Sequence, residues 1–232
     1  MIAAVPRVRL YCLCNVALPG ILCMVSQGTQ SSLHQLGPDE PAWDIARLFP
    51  NQGHWSEQEY LALDTNRLVE FTDGHVEVLS MPTMIHQLIV IFLFDAMRAF
   101  VNRASRGTVL LAPFRVRLRT GKFREPDITF MLAENDSRIA NDFWDGADLV
   151  MEVVSDDDRR RDLETKRADY ASARIPEYWI VDPHLRQITV LKLNGERYDV
   201  HGVFNEQQHA ASNLLPGFTV DVNQVFSAGA RP

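Results

Sequence analysis

No cysteine follows Cys23: the three in the chain, Cys12, Cys14 and Cys23, all lie near its start. An odd, clustered set without a nearby histidine is neither a disulfide framework nor a zinc site, so the body reads as that of a cytoplasmic protein. A basic excess is also missing. With 23 Lys and Arg against 30 Asp and Glu the formal net charge is -7, which argues against adhesion of the whole surface to nucleic acid, a process driven by local cation excess. No internal repeat is visible, no DNA-reading motif, and no run of the length and purity of a membrane span.

What is present is the composition of a globular protein, 46% hydrophobic and 23% charged in 232 residues. That length suits one domain of ordinary size plus an appendage. Residues 1–40 read as a flexible leader, rich in Ser, Gln, Gly and Pro in its second half, and residues 41–226 as a single domain whose ordered chain begins near Trp43. Within the leader, Arg7 and Arg9 precede an apolar stretch from Leu10 to Val25 that resembles the start of a signal peptide, but Asn15 and Pro19-Gly20 interrupt it and no small-residue cleavage site follows. Translation from Met24 is the alternative.

Along the body, Ser56 and Glu59 form a capping box that predicts a helix over 56–64. LVEF and HVEVL flank Thr72-Asp73-Gly74 and predict a hairpin. HQLIVIFLFDAMRAFVN, over 85–102, predicts a core helix apolar on most of its circumference and buried on more than one side. VLLAPFRVRL, DITFML and DLVMEVV then read as strands. A second long helix spans 162–173, with Asp162 as its cap, followed by the buried strand EYWIVD, whose Trp179 reads as core, and by a hairpin turning at Asn194-Gly195. The fold class is therefore α/β (α+β), a mixed central sheet flanked by helices with an added β-hairpin.

Two charged features stand out. Arg115, Arg117, Arg119, Lys122 and Arg124 are either a solvated edge strand or a phosphate track, the odd-numbered arginines sharing one strand face. Glu152 sits inside the apolar run LVMEVVS, where an ionised carboxylate costs several kcal/mol unless something compensates it (roughly). Either it pairs with a cation such as Arg159 or Lys166, or it ligates a hard divalent ion together with a second carboxylate. Asp127, opening the strand DITFML after Pro126, is that second candidate, because adjacent strands would bring both acids to one end of a sheet. Lys166, in the helix after Glu152, can be laid over the same end, where an ammonium would position a nucleophile or steady charge on a phosphate.

EPDITF, DLVMEVVS, RRRDLETKRADYA and IPEYWIVDP resemble the hallmark segments of the Uma family of endonucleases, a branch of the PD-(D/E)XK restriction-endonuclease-like superfamily, over residues 55–200 or so. Asp127 matches the Asp of that motif and Glu152 its second acid. The motif's lysine position is occupied by Val154, and the resemblance points to Lys166 on the following helix as the displaced lysine. It further implies a magnesium ion, with manganese as a substitute, held by Asp127, Glu152 and the carbonyl of Val153. Glu70 and His86 would border the site, with Ser155, Asp162, Tyr170 and Asp182 supporting the ligands or the fold. The implied activity is metal-dependent hydrolysis of DNA, by a homodimer where two strands are cut and with no membrane partner. The competing expectations are a nuclease fold that has become an inert binding or assembly module, and a hydrolase of another phosphate ester.

Overall fold

The computed structural model describes residues 50–65, 67–103, 105–155, 159 and 161–229, without the side chains of Arg161 and Asp162. The leader, its cysteines, Trp43 and the capping role expected of Asp162 lie outside the described residues.

Helix α1 (Glu57–Leu61) opens as its capping box requires: Glu59 N–H donates to Ser56 Oγ at 3.2 Å, and Ser56 N–H donates to Glu59 Oε2 at 2.8 Å. Strands β1 (Val69–Thr72) and β2 (His75–Val78) then turn through Asp73 and Gly74, at φ 45° and 83°. Two positive φ values at the loop centre twist the hairpin as its strands demand.

Helix α2 (Met84–Asn102) is capped by Thr83, whose Oγ1 accepts the His86 N–H at 3.2 Å. Ile89, Leu93, Met97 and Val101, joined by Val90, make one buried stripe at helical spacing. Here the expectation of burial on several sides fails: Ile85 and Ile91 are about half exposed and Met84 more so. The helix is long and apolar enough to cross a membrane by length and composition alone, and its buried stripe packs into the larger of the hydrophobic clusters.

The stretch read as one strand, VLLAPFRVRL, is two. β3 (Gly107–Leu111) and β4 (Val116–Arg119) flank Pro113, which has no N–H to continue a ladder, and they join different sheets. The remaining elements are β5 (Lys122–Arg124), β6 (Ile128–Leu132), β7 (Trp144–Asp145), β8 (Leu149–Val153), α3 (Lys166–Ser172), β9 (Glu177–Asp182), β10 (Gln187–Asn194), β11 (Arg197–Asn205), β12 (His209–Ala211), β13 (Thr219–Asp221) and α4 (Val222–Gly229). A π-helical turn over Arg161–Thr165 leads into α3, so the expected helix is continuous in extent and mixed in type.

The larger sheet has the order β11-β10-β9-β8-β6-β3 and is antiparallel except for the central β8–β9 pair. The smaller one runs β2-β1-β5-β4-β7, and β12 with β13 forms a separate ribbon. Both faces of β8 are covered, as its unbroken apolar sequence required. Leu149, Met151 and Val153 enter the cluster built on α2 and α4, while Val150 and the adjoining Val154 enter the cluster beneath α3. Glu152 has the parity of Val150 and Val154 and so faces α3.

Arg115 precedes β4 and the rest of the run falls on β4 and β5 in the smaller sheet, where a register shift between Arg117 and Arg119 breaks the simple alternation. Each of its five cations has an acceptor within the chain. Arg115 donates to the carbonyls of Leu61 and Leu63, Arg117 pairs with Asp145, Arg119 with Asp73, Lys122 with Asp169, and Arg124 with Asp169 and Glu70. Neither expectation holds: β4 and β5 are interior strands of the smaller sheet, not a solvated edge, and the internal pairing speaks against a phosphate track.

Candidate active site

Antiparallel pairing of β6 with β8, Ile128 opposite Met151, sets the start of one strand beside the end of the other. Asp127, the residue before β6, thereby meets Val153, the last of β8: the Val153 N–H donates to Asp127 Oδ2 at 2.8 Å. From α2, His86 Nε2 approaches the same oxygen at 3.2 Å. Burial alone would push the His86 imidazole down, but Asp127, the charge of Glu152 and the Val153 backbone outweigh it and raise the ring. His86 Nδ1 is buried with no hydrogen-bond partner among the described residues.

Glu152, only 2% exposed, is held from α3. Lys166 Nζ donates to its Oε2 at 2.8 Å, and the Tyr170 hydroxyl donates to its Oε1. Lys166 and Tyr170 are four apart and so share a helix face. Complete burial, with the Glu152 charge beside it, drives the Tyr170 phenol well above its ordinary range, which keeps it a donor. Of the two cations considered for Glu152, Lys166 is the partner seen here, while Arg159 donates to Asp182. Val154, at the motif's usual lysine position, is buried in the apolar cluster beneath α3.

Asp127, Glu152, Val153, Lys166 and His86 line one cavity of about 670 Å³, with Ser155 on its wall. Among the described residues, three of those expected to border or support the site are not on that wall: Tyr170, which reaches Glu152 from behind it, Glu70 and Asp182. Glu70 is fully buried against Arg124, 3.0 Å away, and is linked through it to Asp169 of α3. Asp182 caps the turn after β9, accepting the N–H groups of His184 and Leu185 at 3.1 Å each.

Glu125 is, with Glu77, His184 and Arg186, one of the charged or titratable cavity residues that the sequence reading did not single out. Burial, outweighing the Val69 N–H and the Arg115 charge, pushes its carboxyl up to about 7. The signal was present: residues 125 and 127 flank Pro126, and in extended chain positions two apart point to one side.

Among the described residues no three His, Cys, Asp or Glu side chains form a ready-made metal cage. Of the four carboxylates that line the cavity, Asp127 and Glu152, with the backbone of Val153 beside them, are hard oxygen ligands. One or two carboxylates, with water and substrate completing the shell, is how magnesium is commonly held. Asp127 Oδ1 receives no hydrogen bond from any described residue, and a carboxylate such as Glu152 has lone pairs beyond those that Lys166 and Tyr170 occupy. The donor set therefore fits a small hard cation.

The family model Uma2, described as "Putative restriction endonuclease", matches residues 57–223. The chain belongs to the Uma2 family. The search of curated proteins brought no match. Among solved structures, this Uma2 protein is similar to the crystal structure of a "putative nuclease belonging to DUF820" from Anabaena variabilis, with a TM-score of 0.66 and 18% identity over 76% of this chain and 99% of that one. The likeness bears out the restriction-endonuclease-like fold.

Proposed function

We propose that this Uma2 protein is a magnesium-dependent endonuclease that hydrolyses DNA phosphodiester bonds in the cytoplasm, with manganese as a substitute metal and two copies acting together where both strands are cut. The observation that carries the reading is the convergence of Asp127, Glu152 and Lys166 on one cavity from three different elements. Asp127 and Glu152, with the Val153 carbonyl, would hold the cation. When bound, such an ion neutralises charge on the phosphate and lowers the pKa of water for attack in line with the leaving oxygen.

The chain's own residues supply the rest. Tyr170 and Lys166 fix the Glu152 carboxylate in position, and the Val153 N–H with His86 fixes Asp127. An ammonium held at this place steadies the negative charge that grows on the phosphate oxygens and orients the attacking water.

Plasmid nicking with magnesium tests the proposal. Asp127→Asn and Glu152→Gln should each lower the rate roughly a hundredfold or more, the scale of a lost transition-state contact. Variants that stay folded and nick like the parent would refute the site. One observation favours an inert binding module instead: both Glu152 oxygens already accept hydrogen bonds. Calorimetric titration with magnesium separates the two, since heat that disappears in both variants supports the enzyme and the absence of heat in the parent supports the module.

A further inference from the structure

We infer that the segment from Val78 to Ile85 is a base-holding lip of this cavity, and that the strand cut there is single-stranded or splayed DNA whose unstacked bases lie against it. The inference rests on the phosphodiesterase reading above and names the form of its substrate.

Val78 is 58% exposed, Met81 72%, Met84 64% and Ile85 50%. Isolated exposed apolar residues are ordinary, but a contiguous set marks a binding surface. Val78, Met81, Pro82 and Ile85 line the same cavity as Asp127 and Glu152. Elsewhere on the wall of that cavity are His184, Lys166, which is paired with Glu152, and Arg186, which is paired with Glu206, so a phosphate would be met chiefly by the cation proposed at Asp127 and Glu152. A ligand that satisfies both kinds of surface carries an anionic group together with a flat apolar one, and a nucleotide with its base unstacked has both.

Duplex DNA fits less well. Its base faces are hidden in the stack, and Glu77 and Glu125 add their carboxyls to those of Asp127 and Glu152 around the cavity, which opposes a second phosphate strand. Met, Pro and Ile are side chains of the kind that wedge against opened base steps. Contact of this type tolerates any base, because every base presents an apolar face. The acidic wall and the apolar lip therefore select for strand form over sequence.

The test is equilibrium binding of an oligonucleotide carrying 2-aminopurine, as single strand and as duplex, with calcium in place of magnesium. The single strand should bind about tenfold tighter than the duplex, with a rise in fluorescence as the base unstacks. Met81→Ser with Ile85→Ser should remove most of that preference and the fluorescence rise. Met81→Ser alone, at the most exposed of these positions, should remove part of both without a change in thermal melting. Equal affinity of the parent for the two forms would overturn the inference, as would variants that bind like the parent. Variants that change only the oligomeric state in sedimentation would make the lip a self-association surface and overturn it too. Magnesium-dependent cleavage of a plasmid or of a single-stranded circle that survives such a result keeps the nuclease and discards the lip; a parent that cleaves neither discards both.

Discussion

Asp182 ends β9 and fixes the turn that carries Pro183 and His184 into the cavity wall. Burial alone would raise its carboxyl, but the Arg159 guanidinium and the N–H groups of Leu185 and His184 outweigh that and hold it below the usual carboxylate range. A lowered carboxyl stabilises the fold above its unfolded pKa, and the contribution fades as pH falls through the folded value. Asp182→Asn should therefore cost about 1 kcal/mol at neutral pH. The gap to the parent should begin to close as the pH falls below the ordinary carboxylate pKa and vanish only below the lowered folded value, where the carboxyl is protonated in both states. Urea unfolding across that range checks it, and a gap that persists in acid would contradict the assignment. At this scale Glu152 was legible because a carboxylate among Val and Met is an anomaly that needs a partner. Glu125 escaped notice because Glu-Pro-Asp reads as an ordinary polar approach to a strand; only burial distinguishes it, and burial is set by the distant Val69 and Arg115.

At the scale of elements, α3 is what brings Lys166 and Tyr170 to Glu152, and it is held from outside its own sheet. Asp169, on the same helix, receives Lys122 and Arg124 from β5, and Arg124 continues to Glu70 on β1. The smaller sheet is thus tied to the helix that serves the larger one. Asp169→Asn would leave two largely buried cations short of a counter-charge, a change worth about 3 kcal/mol or more of stability. Chemical denaturation should show that loss, and nicking should fall further than metal affinity does, because Asp127 and Glu152 themselves are untouched. Unchanged stability would mean that Glu70 alone suffices for Arg124. The capping box, the Asp73-Gly74 turn and the central strand β8 were readable because each depends on residues a few positions apart. The division into two sheets was not. β1 pairs with β5 across about fifty positions, β5 is only three residues long, and the break at Pro113 lies inside an otherwise strand-like run.

For the whole molecule, the charge balance limits how the chain can meet a polyanion. The net charge is -7, and the five cations weighed as a phosphate track have partners within the chain, on the smaller sheet, on α3 and at the end of α1. Few phosphates can then be neutralised at once. Anisotropy titrations between about 50 and 200 mM salt should give a slope of log affinity against log salt no steeper than about -3, whereas a protein with six to ten phosphate contacts would show a far steeper one. A steep slope would mean that the ion pairs of β4 and β5 open to receive DNA.

The placement of Glu152 on β8 constrains how this chain can change. On a strand covered on both faces, substitution and insertion are different kinds of event. Exchanging Met151 for another apolar residue alters packing by a methyl group or two. Adding a single residue before Glu152 within β8 would keep the strand but exchange its two faces, presenting the carboxylate to the apolar cluster of α2 and an aliphatic side chain to Lys166 and Tyr170. The chemistry of this end of the sheet is thus encoded as odd against even. Length variation should be tolerated in the surface turns and rejected in the few residues between Leu149 and Val153.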